Sequence, residues 1–282
     1  MINIRKDYSV MEIDVYEFIE RSEHRFSELK HKWIDTIDLE EYNDSSRYTV
    51  KYGKDISITS SDKPMFSASI LRHIDLNKSL FSRLYKNLPK KSNPGVYTSY
   101  FYNDEGHLIM SEFVIDVYSK QRTYFLCTDN ENVQITYFIF QNKNGQSHKS
   151  FYSVEYALYD ADKKLLACET YVNLFKPPYG ISASGEYYKY DDTNERLIAA
   201  VKFEDYNKNF INSDVDRICK QAVPDLVINP HEYNYLFEYN QGQVFCNKIK
   251  RYTYSQDKIY QYELNAEELT KLSNNGVICF GV

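Results

Sequence analysis

The 282-residue chain reads as an α+β protein, with an N-terminal helical segment and hairpin followed by a large antiparallel β-meander of tyrosine-rich hairpins. Three observations carry this expectation. Apolar residues recur at helical spacing as far as Trp33. Beyond Gly95 the apolar period changes to two. Clusters of Asn, Asp and Gly then recur between the alternating runs, as the turns of hairpins require.

Ser9 and Glu12 form a capping box, with Tyr8 and Ile13 placed as a hydrophobic staple. Met11, Val15, Phe18, Ile19, Phe26, Leu29 and Trp33 follow on one face, so the spacing predicts a helix from residue 10 to about 34. Arg47 to Thr59 alternates around Tyr52-Gly53-Lys54-Asp55 and reads as a hairpin. Pro64 to Leu88 turns helical again through Phe66, Ile70, Leu71, Ile74, Leu80, Phe81, Leu84 and Tyr85. The run Pro89 to Gly95 is a linker by composition. It divides the chain into residues 1–92, helical with a hairpin, and residues 93–282, an antiparallel sheet domain.

In the second region strands are expected over Tyr97–Tyr102, Leu108–Tyr118, Arg122–Cys127, Val133–Phe140, Ser150–Tyr159 and Leu165–Leu174. A loop at Lys176–Gly185 precedes further strands at Tyr187–Tyr190, Arg196–Phe203, Tyr233–Tyr239, Val244–Tyr254 and Ile259–Leu264. Ser213 with Asp216, and Asn265 with Glu268, cap short helices near 213–222 and 266–273, and Val277 to Val282 forms a final strand.

Composition bounds the function. Tyr 28 and Phe 16 are high, and tyrosine suits a pleated surface with its ring packed and its hydroxyl wet. The net charge of −6, from Lys+Arg 34 against Asp+Glu 40, is ill suited to neutralising phosphates, so no nucleic-acid partner is expected. The first ten residues hold Arg5, Lys6 and Asp7 rather than an apolar signal segment, and no run approaches membrane-spanning length. Cys127, Cys168, Cys219, Cys246 and Cys279 are scattered and odd in number, the pattern of reduced thiols in a cytoplasmic protein.

Several hairpins share a pattern. Tyr100-Phe101-Tyr102-Asn103-Asp104-Glu105-Gly106 opens one, Tyr156-Ala157-Leu158-Tyr159-Asp160 a second, and Tyr188-Lys189-Tyr190-Asp191-Asp192 a third. Phe237-Glu238-Tyr239-Asn240-Gln241-Gly242 is a variant. Each sets a Tyr before an Asp or Asn, which bonds its own backbone in a turn. This resembles the Tyr-Asp hairpin repeats of the Rhs and YD-repeat families, and more loosely MORN-type hairpins, over roughly residues 97–263. The family's turn glycine is present at Gly106 and Gly242 and absent from the other two copies, and the spacing is irregular. The resemblance implies a curved, open or wrapped sheet with tyrosines on one face and no catalytic residues.

No catalytic constellation completes itself. His231-Glu232-Tyr233-Asn234-Tyr235 has Tyr235 where a zincin's second histidine must stand. Gly180-Ile181-Ser182-Ala183-Ser184 fails as a nucleophile elbow at its last position. His24 and His31, seven apart, are too distant for one small metal site, and His73 reads as a packing residue. No cofactor and no metal site are expected. The acidic segment Asp35, Asp38, Glu40, Glu41 and Asp44 is the candidate binding site, able to meet a basic partner or to serve as a solvated loop.

The expected function is therefore a non-enzymatic protein-binding module. Its specific form is a bacterial immunity protein that neutralises a basic toxin domain, gaining on-rate and specificity from its charge. The alternative is a ligand- or glycan-binding domain using a tyrosine-lined surface.

Overall fold

The computed structural model describes residues 15–39, 42, 44–54, 68–76, 84–87, 97–142, 144–173, 181–193, 195–207, 231–240, 243–251, 258–267 and 269–270. The expected capping box at Ser9 and Glu12, the linker at 89–95, the helix near 213–222 and the strand at 277–282 lie outside these residues.

Helix α1 (Val15–Leu29) runs directly into a π-helical turn at Lys30–Ile34. Its buried positions, Phe18, Ser22 and Leu29, fall on one face as the apolar spacing requires. Ser22 is tolerated there because its Oγ donates back to the Ile19 carbonyl at 2.8 Å. Helix α2 (Ile70–Leu76) is shorter, with Ile70, Leu71 and Ile74 buried.

Thirteen described strands form one sheet. They are β1 (Thr49–Lys54), β2 (Leu84–Tyr85), β3 (Tyr97–Tyr102), β4 (Leu108–Val114), β5 (Ser119–Cys127), β6 (Glu131–Gln141), β7 (Ser147–Tyr159), β8 (Leu165–Asn173), β9 (Ile181–Tyr190), β10 (Leu197–Asn207), β11 (His231–Asn240), β12 (Gln243–Arg251) and β13 (Lys258–Asn265). Consecutive strands from β3 to β13 are neighbours, an uninterrupted meander, and β1 lies between β3 and β2. Their pairings are antiparallel, as in Thr123 opposite Thr136 and Tyr235 opposite Lys248. The α+β class and the meander expected from the alternation are thus what the chain adopts.

Several local readings differ from the structure. Tyr52, Gly53 and Lys54, read as a hairpin turn, stand inside β1, where Gly53 pairs with Leu84 on one side and Thr98 on the other. Leu84 and Tyr85, read as helix, form β2, and the Tyr85 ring meets Tyr97 edge-on at 6.3 Å. Ile181 to Gly185, read as loop, belong to β9.

The two-residue period gives the sheet two covered faces. One carries Val154, Tyr156, Tyr171, Val201 and Phe203 against Phe18 and Leu29 of α1. The other carries Ala157, Tyr159, Cys168, Ala200 and Tyr235 against Ile70, Leu71 and Ile74 of α2. The helices therefore lie on opposite sides of the same strands. Tyrosines are main packing elements, as shown by the edge-on chain Tyr42–Tyr124–Tyr137–Phe151 with centroid separations of 5.0, 6.0 and 6.0 Å.

Three hairpin tips share one mechanism. At Asn103 the side-chain carbonyl accepts the His107 amide at 2.8 Å, and Gly106 sits at φ +83°. Asn142 does the same to Gln146 at 2.9 Å, with Gly145 at φ +79°. At Asp160 the carboxylate accepts the Lys164 amide at 2.8 Å, and Lys163 takes the left-handed position at φ 67°. The recurring Asn or Asp is thus explained by turn chemistry: its oxygen caps the amide four residues on.

Candidate functional site

A groove of about 440 Å³ opens between α1 and strands β7 to β9, with Phe18, Arg25, Tyr156, Leu166, Glu169 and Tyr187 in its walls. Glu169, only 8% exposed, is its polar centre. Arg25 Nε donates to Glu169 Oε2 at 3.2 Å, the Tyr171 hydroxyl donates to the same oxygen at 3.2 Å, and the Tyr187 hydroxyl donates to Oε1 at 3.0 Å. The Arg25 guanidinium also stacks 4.4 Å from the Tyr156 ring centroid. Burial works against the Arg25 charge, but Glu169, Glu28 and Tyr156 outweigh it, and its pKa rises. Burial, reinforced by Glu169, likewise raises the hydroxyl pKa of Tyr171 and Tyr187.

A second carboxylate extends the network. Glu131 accepts the Tyr156 hydroxyl at 2.9 Å and the Lys32 ammonium at 2.5 Å. Two helix cations and three sheet tyrosines are thus committed to two sheet carboxylates. The arrangement fixes α1 to the sheet. It does not present a free base or nucleophile, because the Glu169 carboxylate already holds one guanidinium and two hydroxyls.

The opposite face repeats the strategy for α2. Glu186 accepts Ser69 Oγ at 2.6 Å and also the Tyr188 hydroxyl, while Lys202 Nζ lies 3.6 Å from its other oxygen. Glu155 accepts the Ala68 amide at 3.1 Å, and the Tyr188 hydroxyl accepts the Ile70 amide at 3.1 Å. Of the orphan amides at the start of α2, that of Ile70 is thereby satisfied from the sheet, and that of Arg72 by Ser69 Oγ at 2.9 Å. Cys168 lies in the same region, and burial raises its thiol pKa well above the ordinary value, the opposite of an activated cysteine. Among the described residues no group of three or more His, Cys, Asp and Glu gathers as a metal set. No described helix is long and apolar enough to cross a membrane.

The acidic segment is placed as follows. Asp35 ends the π-helical turn, and its carboxylate lies 3.3 Å from His31 Nδ1. Asp38 is exposed. Asp44 accepts the Ser46 hydroxyl at 2.5 Å and the Ser46 amide at 3.2 Å, and Arg47 Nε lies 3.1 Å from its second oxygen. The bonds from Ser46, with Arg47 adding to them, lower the Asp44 pKa. Glu40 and Glu41 lie outside the described residues, as does the His73 side chain. His24 and His31 are exposed and lie beside Glu28 and Asp35.

A site not anticipated from the sequence stands at one end of the sheet. Val117 is 76% exposed and Tyr118 57%, at the turn between β4 and β5, and Phe140 at the end of β6 is 44% exposed. The turn is held in place. Asp116 accepts the Tyr118 amide at 2.7 Å, and the Tyr118 carbonyl accepts the Gln141 amide at 2.7 Å. Behind it Phe138 and Phe140 pack at 6.1 Å, and Phe138 meets Tyr152 at 4.8 Å. Asp116 was the available signal: an Asx turn at that position breaks the run Leu108–Tyr118 and turns its last two apolar residues outward.

No protein-family model, no curated protein and no solved structure matches the chain.

Proposed function

We propose that the chain is a non-enzymatic protein-binding module that docks its partner on the aromatic end of the sheet around Val117, Tyr118 and Phe140. The observation that carries this reading is a pinned turn holding two large apolar side chains in solvent beside a third. Rigid exposed aromatics lose little entropy on binding, and apolar residues clustered at a surface mark interaction sites. The partner class that fits the net charge of −6 is basic, and the specific form of the proposal is a bacterial immunity protein that blocks a basic toxin domain in the cytoplasm.

The ligand- or glycan-binding alternative finds less support. The Tyr156 ring face, on which a sugar would stack, is already covered by the Arg25 guanidinium 4.4 Å from its centroid, and the hydroxyls of Tyr156, Tyr171 and Tyr187 donate to Glu131 and Glu169.

Coexpression with a basic toxin domain encoded beside the gene tests the proposal. The wild-type chain is expected to copurify in a stoichiometric complex, and Tyr118→Ala with Val117→Asp to release the toxin at unchanged fold. Absence of a complex, or a complex indifferent to both substitutions, would overturn it.

A further inference from the structure

Arg21 and Arg25 stand one turn apart on the flank of α1 that lines the groove. Arg25 commits Nε to Glu169 and Nη1 to Glu28 at 3.1 Å, and Arg21 commits Nη2 to Glu17. A guanidinium carries five N–H donors, so both keep donors to spare. The pairs with Glu17 and Glu28 lie on the exposed surface of the helix itself, where such pairs are worth little, so an incoming anion displaces them at small cost. The Arg21 charge also reaches the Tyr187 hydroxyl on the opposite wall. Arg21, Arg25 and Glu169 are the charged residues of the lining, which leaves one positive charge in excess. Beside them Leu158, Leu166 and Tyr187 are only half-buried, so the groove offers apolar surface as well as charge.

We propose that this groove binds a small monoanionic acid with a flat apolar body, its carboxylate held by Arg21 and Arg25 and its rings laid on Leu158, Leu166 and Tyr187. A sugar requires an open aromatic face, and the Tyr156 face is covered by Arg25. A carboxylate requires guanidinium forks, whose paired N–H groups match its two oxygens. One excess positive charge suits a monoanion, whereas a second negative charge would stand uncompensated beside Glu169. The volume of about 440 Å³ lies low in the range of small-molecule sites, roughly 300–1,000 Å³, and so fits a body of one or two rings. The bound acid touches both α1 and strands β7 to β9, so it strengthens the attachment that Glu169 makes.

Isothermal titration calorimetry of the full chain with α-naphthoate, and with its neutral counterpart α-naphthylmethanol, tests the site. The wild-type chain is expected to bind one α-naphthoate, about tenfold more tightly than the alcohol. Arg21 is 63% exposed and bonded to Glu17 on its own helix, so Arg21→Met leaves the fold intact, which circular dichroism checks. That substitution is expected to weaken α-naphthoate about tenfold and to leave the alcohol unchanged. The thermal midpoint of the wild-type chain should rise with α-naphthoate concentration, because the acid binds only the folded state. No binding of α-naphthoate up to millimolar concentration would overturn the proposal. So would equal affinities for acid and alcohol, or an Arg21→Met variant that binds the acid unchanged or weakens both compounds alike. The groove shares no residue with the docking end at Val117, Tyr118 and Phe140, so either proposal stands without the other.

Discussion

Phe18 of α1 rests directly on Gly185 of β9: a Cβ added to Gly185 would stand 2.6 Å from Phe18 Cε2 and 3.2 Å from Tyr187 Cε2. The same ring stacks on Phe203 at 5.2 Å and is 2% exposed. The glycine is therefore the seat of the helix on the sheet.

Gly185→Ala is expected to cost about 1–3 kcal/mol in urea unfolding, because the ring and backbone on either side are fixed by their own packing. Phe18→Ala should cost about 3–5 kcal/mol by opening a cavity. In the Phe18→Ala background the Gly185→Ala penalty should fall sharply, since the obstacle is gone. Equal penalties in the two backgrounds would place the cause elsewhere.

The bond between Arg25 and Glu169 yields a second expectation. In Glu169→Gln the charge that faces Arg25 is lost and one oxygen acceptor becomes a donor, so the contact now made by Tyr187 at 3.0 Å survives only if its hydroxyl turns from donor to acceptor. The expected loss is about 1–3 kcal/mol. Arg25→Met in that background should add less than Arg25→Met alone, a coupling that a denaturant double-mutant cycle measures directly.

How far these features could be read in advance depends on their range. Tyr97–Tyr102 is recovered to the residue, because its alternation and the Asn103 turn are local signals. The strand Leu108–Val114 is shorter than the run Leu108–Tyr118, because Asp116 forms a turn inside an apolar stretch. Gly185 looks like loop punctuation, and only the helix lying on it shows that a close approach is required. Tyr52-Gly53 looks like a turn until strands are found on both its sides. The acidity of Asp35, Asp38 and Asp44 is visible in the sequence, whereas the partners of Asp35 and Asp44 are a local histidine, serine and arginine. Arg25 and Glu169 are 144 positions apart, and nothing in either neighbourhood announces the other.

Acid sensitivity should centre in part on Glu112. Its carboxylate holds Arg122 Nη2 at 2.7 Å, Arg122 Nε at 3.0 Å and Lys120 Nζ at 2.9 Å. Burial alone would raise its pKa, but the bonds and charges of Lys120 and Arg122 outweigh burial and hold it below the ordinary 4.5. A carboxyl whose folded pKa is depressed stabilises the protein above its unfolded value and loses that contribution as pH falls through the folded value. Glu112→Gln should therefore lower stability by about 1.5–3 kcal/mol at neutral pH. It should also flatten the decline below pH 4.5 in acid unfolding followed by circular dichroism. A decline as steep as that of the wild type would remove Glu112 from the account.

Alkaline unfolding follows from the tyrosines with the opposite sign. Burial pushes Tyr102 and Tyr137 from 10.0 up to about 12, and burial with Glu131 does the same to Tyr156. A group whose folded pKa is raised contributes its full stability below the unfolded value and loses it as pH climbs to the folded value. Stability should therefore hold to pH 10.0 and then fall steadily towards about 12, as the unfolded chain ionises hydroxyls that the folded chain keeps protonated. The same tyrosines should be silent in an ultraviolet titration near pH 10.0 and ionise together with unfolding. Tyr102→Phe is the sharpest variant, because the Tyr102 hydroxyl is buried with no hydrogen-bond partner among the described residues. Removing that hydroxyl should leave neutral stability unchanged or raise it by about 1 kcal/mol, and should shallow the alkaline decline by one titrating group. Simultaneous ionisation of all 28 tyrosines near pH 10.0 in a chain that stays folded would contradict the burial on which the packing of both faces rests.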